Sequence, residues 1–113
     1  MQIAERNAGA VTVLDLSGKI TLGDDHNLLK DKIQSLLHQG RKDILFNLAD
    51  VTYVDSSGLG AIMTSFTTVT REGGKLKLAN VTRKLQDLLS ITKLLTVFET
   101  FDSEDEALRS YTK

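Results

Sequence analysis

The stretch from Asp43 to Asn80 constrains this chain most, because it reads as a strand, a helix and a strand in direct succession. Asp43-Ile44-Leu45-Phe46-Asn47-Leu48 is nearly all apolar and too short for a helix, which marks a central strand covered on both faces. Leu59, Ile62, Met63, Phe66 and Val69 then recur at helical spacing, and Gly73-Gly74 ends that helix. Lys75-Leu76-Lys77-Leu78-Ala79-Asn80 alternates as a second strand, with its two lysines read as the solvent face. Strands joined through a helix pair in parallel, with a right-handed crossover.

The flanking segments extend this unit. Gln2 to Glu5 is a short strand candidate, followed by the turn-like Asn7-Ala8-Gly9. Val11-Thr12-Val13-Leu14-Asp15-Leu16-Ser17 is a β-branched strand ended by Gly18. Asp24, Asp25 and Asn27 supply acidic and capping residues ahead of a helix that carries Leu29, Ile33, Leu36 and Leu37 and is closed by Gly40. Val51-Thr52-Tyr53-Val54 leads into Asp55-Ser56-Ser57-Gly58 and the second helix. Leu85, Leu88 and Leu89 mark a third helix, and Leu94 to Phe98 reads as another strand. Asp102-Ser103-Glu104-Asp105-Glu106 starts a last helix bearing Ala107, Leu108 and Tyr111. The expected architecture is α/β, a mixed and mostly parallel-core sheet with helices packed on it. No linker, charge block or repeat interrupts the 113 residues, so one domain over 1–113 is expected.

Several function classes drop out. The absence of cysteine excludes disulfides, thiolate metal sites and a thiol nucleophile. With 14 basic and 15 acidic side chains and no basic stripe in sequence, direct nucleic-acid binding is not expected. No run of about 18 apolar residues exists and the start is not a signal peptide, so a cytoplasmic protein without a membrane role is expected. A catalytic Ser56 or Ser57 needs a base, yet His26 and His38 lie next to the first helix, far from Ser56 in sequence, and no Gly-x-Ser-x-Gly elbow surrounds the serines. Gly58-Leu59-Gly60 lacks the third glycine of a dinucleotide loop, where Met63 stands. The spacing of Asp24-Asp25-His26-Asn27 fits neither a calcium loop nor a zinc site. No catalytic residue, cofactor or metal is expected.

Sites in such sheets gather at the carboxyl ends of strands, which is where Asp55-Ser56-Ser57 falls. One helix cap needs one side chain, and here Asp55, Ser56 and Ser57 supply three. Gly58 and Gly60 remove side chains from the first turn, where a partner's backbone can approach. A phosphate on Ser56 would add a charge of about −1.5 to −2, which a helix N-terminus tolerates and a partner built for a hydroxyl does not. Asp55 would add repulsion. Plain capping accounts for the same residues as well, so chemistry alone leaves both readings open. Leu59, Ile62, Met63 and Phe66 read as core, and the face with Ser57, Gly60 and Thr64 as the interface.

Val51-Thr52-Tyr53-Val54-Asp55-Ser56-Ser57-Gly58-Leu59-Gly60 resembles the signature of the bacterial anti-sigma factor antagonists, the STAS-domain proteins. The resemblance runs on through Gly73-Gly74-Lys75-Leu76-Lys77-Leu78-Ala79-Asn80, Leu88-Leu89-Ser90-Ile91-Thr92-Lys93-Leu94 and Phe98 to Leu108. It implies a non-enzymatic regulator that binds an anti-sigma factor serine kinase and so frees a sigma factor. It further implies that the kinase uses ATP to phosphorylate Ser56, breaking the complex, and that a serine phosphatase reverses this. Ser57 would then be a cap or a phosphate neighbour. Where many relatives carry Gly-Glu-Ile/Leu-Asp, this chain has Gly18-Lys19-Ile20-Thr21. That loop lies near the kinase-contacting face in the family, so Lys19 and Thr21 join Asp55, Ser56, Ser57, Gly58, Gly60 and Thr64 as expected partner-binding residues. The lost acids also motivate an alternative, a STAS-domain adaptor for a different partner (a signalling phosphatase or transport assembly) in which Ser56 is only a cap. A monomer or weak dimer is expected.

Overall fold

In the computed structural model, which describes residues 1–21 and 23–111 without the side chains of Asp24 and Leu95, the apolar run at Asp43 forms the middle of the sheet. The elements run β1 (Gln2–Ala8), β2 (Val11–Ile20), α1 (Asp24–His38), β3 (Asp43–Val54), α2 (Ser56–Arg71), β4 (Lys75–Ala79), α3 (Arg83–Ile91), β5 (Thr100–Phe101) and α4 (Glu104–Ser110). The sheet order is β1-β2-β3-β4-β5. β1 and β2 form an antiparallel hairpin, while β2–β3, β3–β4 and β4–β5 are parallel, so the sheet is mixed and mostly parallel as expected.

Both faces of β3 are covered. Ile44, Phe46 and Leu48 join Leu14, Leu16, Ile20 and Leu78 beneath α1, α2 and α3, whose Leu29, Ile33, Leu36, Leu59, Ile62, Val69, Leu85 and Leu89 close that core. Leu45 points the other way, toward Val11, Val13, Ala79 and Ala107 of α4. Met63 and Phe66 are half-buried and pack against the main core, with Phe66 edge-on to Phe98 at 5.0 Å between ring centres.

Several elements differ from the sequence reading. β1 extends to Ala8 and β2 through Gly18 to Ile20, while Val51–Val54 continues β3 rather than standing apart. α1 has no side-chain cap: Gly23, at φ 101°, precedes it, and Asp25 turns its carboxylate back to the Thr21 N–H at 3.0 Å and to the terminal amine at 3.2 Å. The Asp24 side chain lies outside the described residues. Leu94–Phe98 is not a strand; Leu94–Thr96 forms a 3₁₀ turn after Lys93 in the left-handed region, and the pairing falls instead on Thr100 and Phe101. An apolar run without β-branched alternation is equally able to bury its residues from a turn, as Phe98 does here.

Lys77 is a further correction. It is 7% exposed, because the face opposite Leu76 and Leu78 is covered by α4. Its ammonium reaches the Ser110 hydroxyl at 2.8 Å and Glu99 at 2.9 Å, and lies 4.6 Å from the centre of the Tyr111 ring. The Tyr111 hydroxyl donates to the Ile44 carbonyl, and burial pushes its pKa well above the usual tyrosine value. At the other end of α4, Arg6 holds Glu104 and Asp15, and Asp15 also accepts from Asn47 at 2.8 Å. Arg6 first and Asn47 after it keep the Asp15 carboxyl below the usual carboxylate range. We expect Lys77→Met to lower stability by about 1.5 kcal/mol, the scale of a hydrogen bond to a charged group, as read by urea denaturation. A shift of the loss into faster exchange of α4 amides would locate it.

Candidate functional site

The site is built where β2 and β3 end side by side. Lys19 pairs with Tyr53 and Ile20 with Val54 in the parallel register, so the end of β2 lies against the start of α2. The Asp55 N–H donates to the Ile20 carbonyl at 3.4 Å. Asp55 itself is extended, at φ −91° and ψ −178°, and its carboxylate accepts from the Gly58 N–H at 2.7 Å. This is N-cap geometry, and it satisfies a backbone donor that the first helical turn leaves open.

Assigning the cap to Asp55 changes the reading of its neighbours. Ser56 is the first residue of α2, exposed, and its hydroxyl makes no hydrogen bond among the described residues. Ser57 is half-buried and likewise not the cap. Chemistry alone had left capping and modification open at Ser56; the adaptor reading cast it as the cap, and that role falls to Asp55. We expect Asp55→Ala to cost about 1 kcal/mol and Ser56→Ala no more than about 0.5 kcal/mol in chemical denaturation. A loss in Ser56→Ala as large as in Asp55→Ala would contradict this division.

Gly58 differs most from expectation. It is buried, and a Cβ there would run into the carbonyl of Ile20. Its missing side chain lets α2 seat on the end of β2 rather than admitting a partner. Gly60, by contrast, is exposed, and a Cβ there would meet nothing within 4 Å. Thr64 is exposed one turn further on. Lys19 is exposed at the rim, whereas Thr21 is half-buried and donates its hydroxyl to Asp25 at 3.2 Å. The Thr21 N–H first, and the terminal amine after it, hold the Asp25 carboxyl below its ordinary range, so this acid of the Asp24-Asp25-His26-Asn27 run is engaged with the residue that follows β2.

One feature of the site escaped the sequence. β4 pairs with β3 only as far as Asn47, so Val51–Val54 has a strand on one side alone. Val51, Tyr53 and Val54 face Leu85, Leu88 and Ile91 of α3 across an apolar cleft of about 330 Å³, directly before Ser56. Tyr53 is 49% exposed. The run Val-Thr-Tyr-Val carried the β-branched signal, but its open edge depends on where β4 stops. The clefts that His26 and His38 line along α1 and α2 do not include Ser56. No helix among the described residues is long and apolar enough to cross a membrane.

Comparison with known proteins bears on this geometry. A family model described as STAS domain matches residues 2–107. An anti-sigma-B factor antagonist of Bacillus subtilis is 39% identical over 72 residues, 64% of this chain and 65% of that relative's length. An anti-sigma F factor antagonist of Paenibacillus polymyxa is 23% identical over 108 residues, 96% of this chain and 92% of the relative. In structure, the Bacillus cell fate determinant SpoIIAA in its phosphorylated form superposes with a TM-score of 0.76 at 19% identity, covering 97% of this chain and 99% of that one.

Proposed function

The chain belongs to the STAS domain family, and from that premise we propose that it is an anti-sigma factor antagonist switched by phosphorylation of Ser56. In the unmodified state it binds an anti-sigma factor that is also a serine kinase, and the sigma factor is released. The kinase transfers the γ-phosphoryl group of ATP to the Ser56 oxygen, the hydroxyl proton leaves, and ADP departs with the complex broken. A serine phosphatase returns the serine by hydrolysis.

The observation that supports this reading is the division of labour at the head of α2. Asp55 closes the helix, so the Ser56 hydroxyl is free for chemistry without cost to the fold. A dianionic phosphate at that position meets the favourable end of the helix dipole and stays compatible with the native state. Its effect falls on the partner, which meets new charge at a rim already bearing Asp55. Gly60, Thr64 and Lys19 complete the exposed rim and are the residues we assign to contact with the partner.

The antagonist role has a direct test. Purified anti-sigma factor is loaded with its sigma factor, this protein is added, and free sigma factor is measured with and without prior phosphorylation. Release by the unmodified protein alone supports the reading. Release by neither form, with the anti-sigma factor shown to be folded and sigma-bound, would reject the antagonist role.

A further inference from the structure

The sheet ends on two unlike edges. β5 is two residues long, whereas β1 offers seven, paired with β2 in an unbroken antiparallel register. No strand among the described residues pairs with the outer side of β1, and Gln2, Ala4, Glu5, Arg6 and Asn7 are all exposed. An open cleft of about 540 Å³ runs beside Gln2, Ile3 and Ala4, with Leu28, 44% exposed, in its wall. Alternate residues of such a strand turn N–H and C=O groups away from the sheet, which makes a template for another strand. Folded chains guard these edges with proline, a bulge, extreme shortness or lysines. The partly free edges of β3 and β4 are guarded: β3 is irregular between Val51 and Tyr53, and Lys75–Lys77 carries two lysines. β1 has none of these devices. Its charges are turned onto the chain itself, Glu5 to Lys32 at 3.2 Å and Arg6 to Asp15 and Glu104.

We propose that β1 is the seam of a homodimer, pairing antiparallel with β1 of a second copy about a two-fold axis at Ala4. The register follows from the two faces of the strand. Ile3, Glu5 and Asn7 face the α1 side, where they meet the main core, Lys32 and Arg41. Arg6 and Ala8 face the α4 side, and Ala4 shares that face by alternation. The two-fold axis of an antiparallel seam stands perpendicular to the sheet, so only residues of the same face come opposite each other. Centring the seam on Glu5 or Arg6 sets like charges about 5 Å apart. Centring it on Ile3 or Asn7 shortens the overlap. Centring it on Ala4 keeps residues 1–7 in the seam, with Arg6 opposite the partner's Gln2 and Glu5 opposite the partner's Ile3. In that register the edge is its own complement, and the occupant is a second copy. One strand pair buries less than about 1,200 Å² in total, which corresponds to a weak dimer with a Kd on the order of 100 μM. The inference stands apart from the antagonist reading, since the seam contains no residue of α2.

The chain has no cysteine, so single cysteines report the seam cleanly. Ala4→Cys places two thiols at the axis, within reach of a short bismaleimide. Asn7→Cys, on the same strand, places them about 20 Å apart, six residue steps at about 3.4 Å each. Lys75→Cys is an exposed control on β4. The expected result is cross-linking of Ala4→Cys at least about tenfold faster than of either control. Sedimentation of the wild type should show a mass rising from 12.4 kDa toward twice that value as concentration increases, up to about 500 μM, several times the expected Kd. Ala4→Lys, which sets two ammonium groups together at the axis, should stay monomeric over the same range, with thermal melts confirming that each variant folds. A wild type that remains monomeric throughout rejects the homodimer and leaves the edge to a strand of another protein. Equal cross-linking of Ala4→Cys and Asn7→Cys, or unchanged association of Ala4→Lys, would also overturn the proposal.

Discussion

Gly58→Ala is expected to destabilise this protein by about 3 kcal/mol or more, while Gly60→Ala, two residues along the same helix, is expected to stabilise it by up to about 1 kcal/mol. The opposite signs follow from where each missing side chain would go. At Gly58 a Cβ would collide with the Ile20 carbonyl oxygen and crowd the Ile20 side chain, and a backbone atom cannot step aside as a flexible side chain can. Relief requires moving the start of α2 away from β2, which breaks the Asp55 N–H bond to Ile20 and loosens the cap on Gly58. At Gly60 the space is open, and alanine simply replaces the residue that loses most backbone freedom in a helix. Urea denaturation of both variants measures this. A mild loss in Gly58→Ala, equal to that of an ordinary surface change, would show that α2 is not seated on β2 as described.

The second large effect is on binding. Ser56→Asp is expected to weaken association with the anti-sigma factor by about a hundredfold, near 2.7 kcal/mol, while the melting temperature stays level or rises slightly. An acid at the first helical position is favoured by the dipole, so the fold loses nothing. The partner meets a charge where it is shaped for a hydroxyl, next to the carboxylate of Asp55. Ser56→Ala, which keeps the site neutral, should bind normally and remain bound in the presence of ATP. Titration calorimetry of the three proteins against the anti-sigma factor checks this, and equal affinities for wild type and Ser56→Asp would remove charge as the basis of the switch.

What was legible in the sequence followed from periodicity. The run at Asp43–Leu48 declared a strand covered on both sides, and the helix of Leu59, Ile62 and Val69 declared its buried face, because burial and period are local properties. Lys77 was misread for a non-local reason: alternation shows which residues share a face, and only α4, about thirty residues on, makes that face interior. The strand placed at Leu94–Phe98 failed because an apolar run is ambiguous until a partner edge is found, and β4 offers its edge to Thr100 and Phe101. At the site the sequence marked Asp55 to Gly60 as a cluster, but the roles within it needed geometry. Which of three capping side chains turns inward depends on the angle at which β3 delivers the chain, and the closeness of Gly58 to Ile20 depends on the parallel pairing of β2 with β3.

The central claim is that Ser56, and not the adjacent serine, receives the phosphate. The most direct measurement is phosphopeptide mass spectrometry on the protein after incubation in native lysate with magnesium and ATP. Phosphate on Ser56, absent when ATP is omitted, is the expected result. An unmodified Ser56 in a lysate whose kinases are shown to be active, or phosphate confined to Ser57, would contradict it.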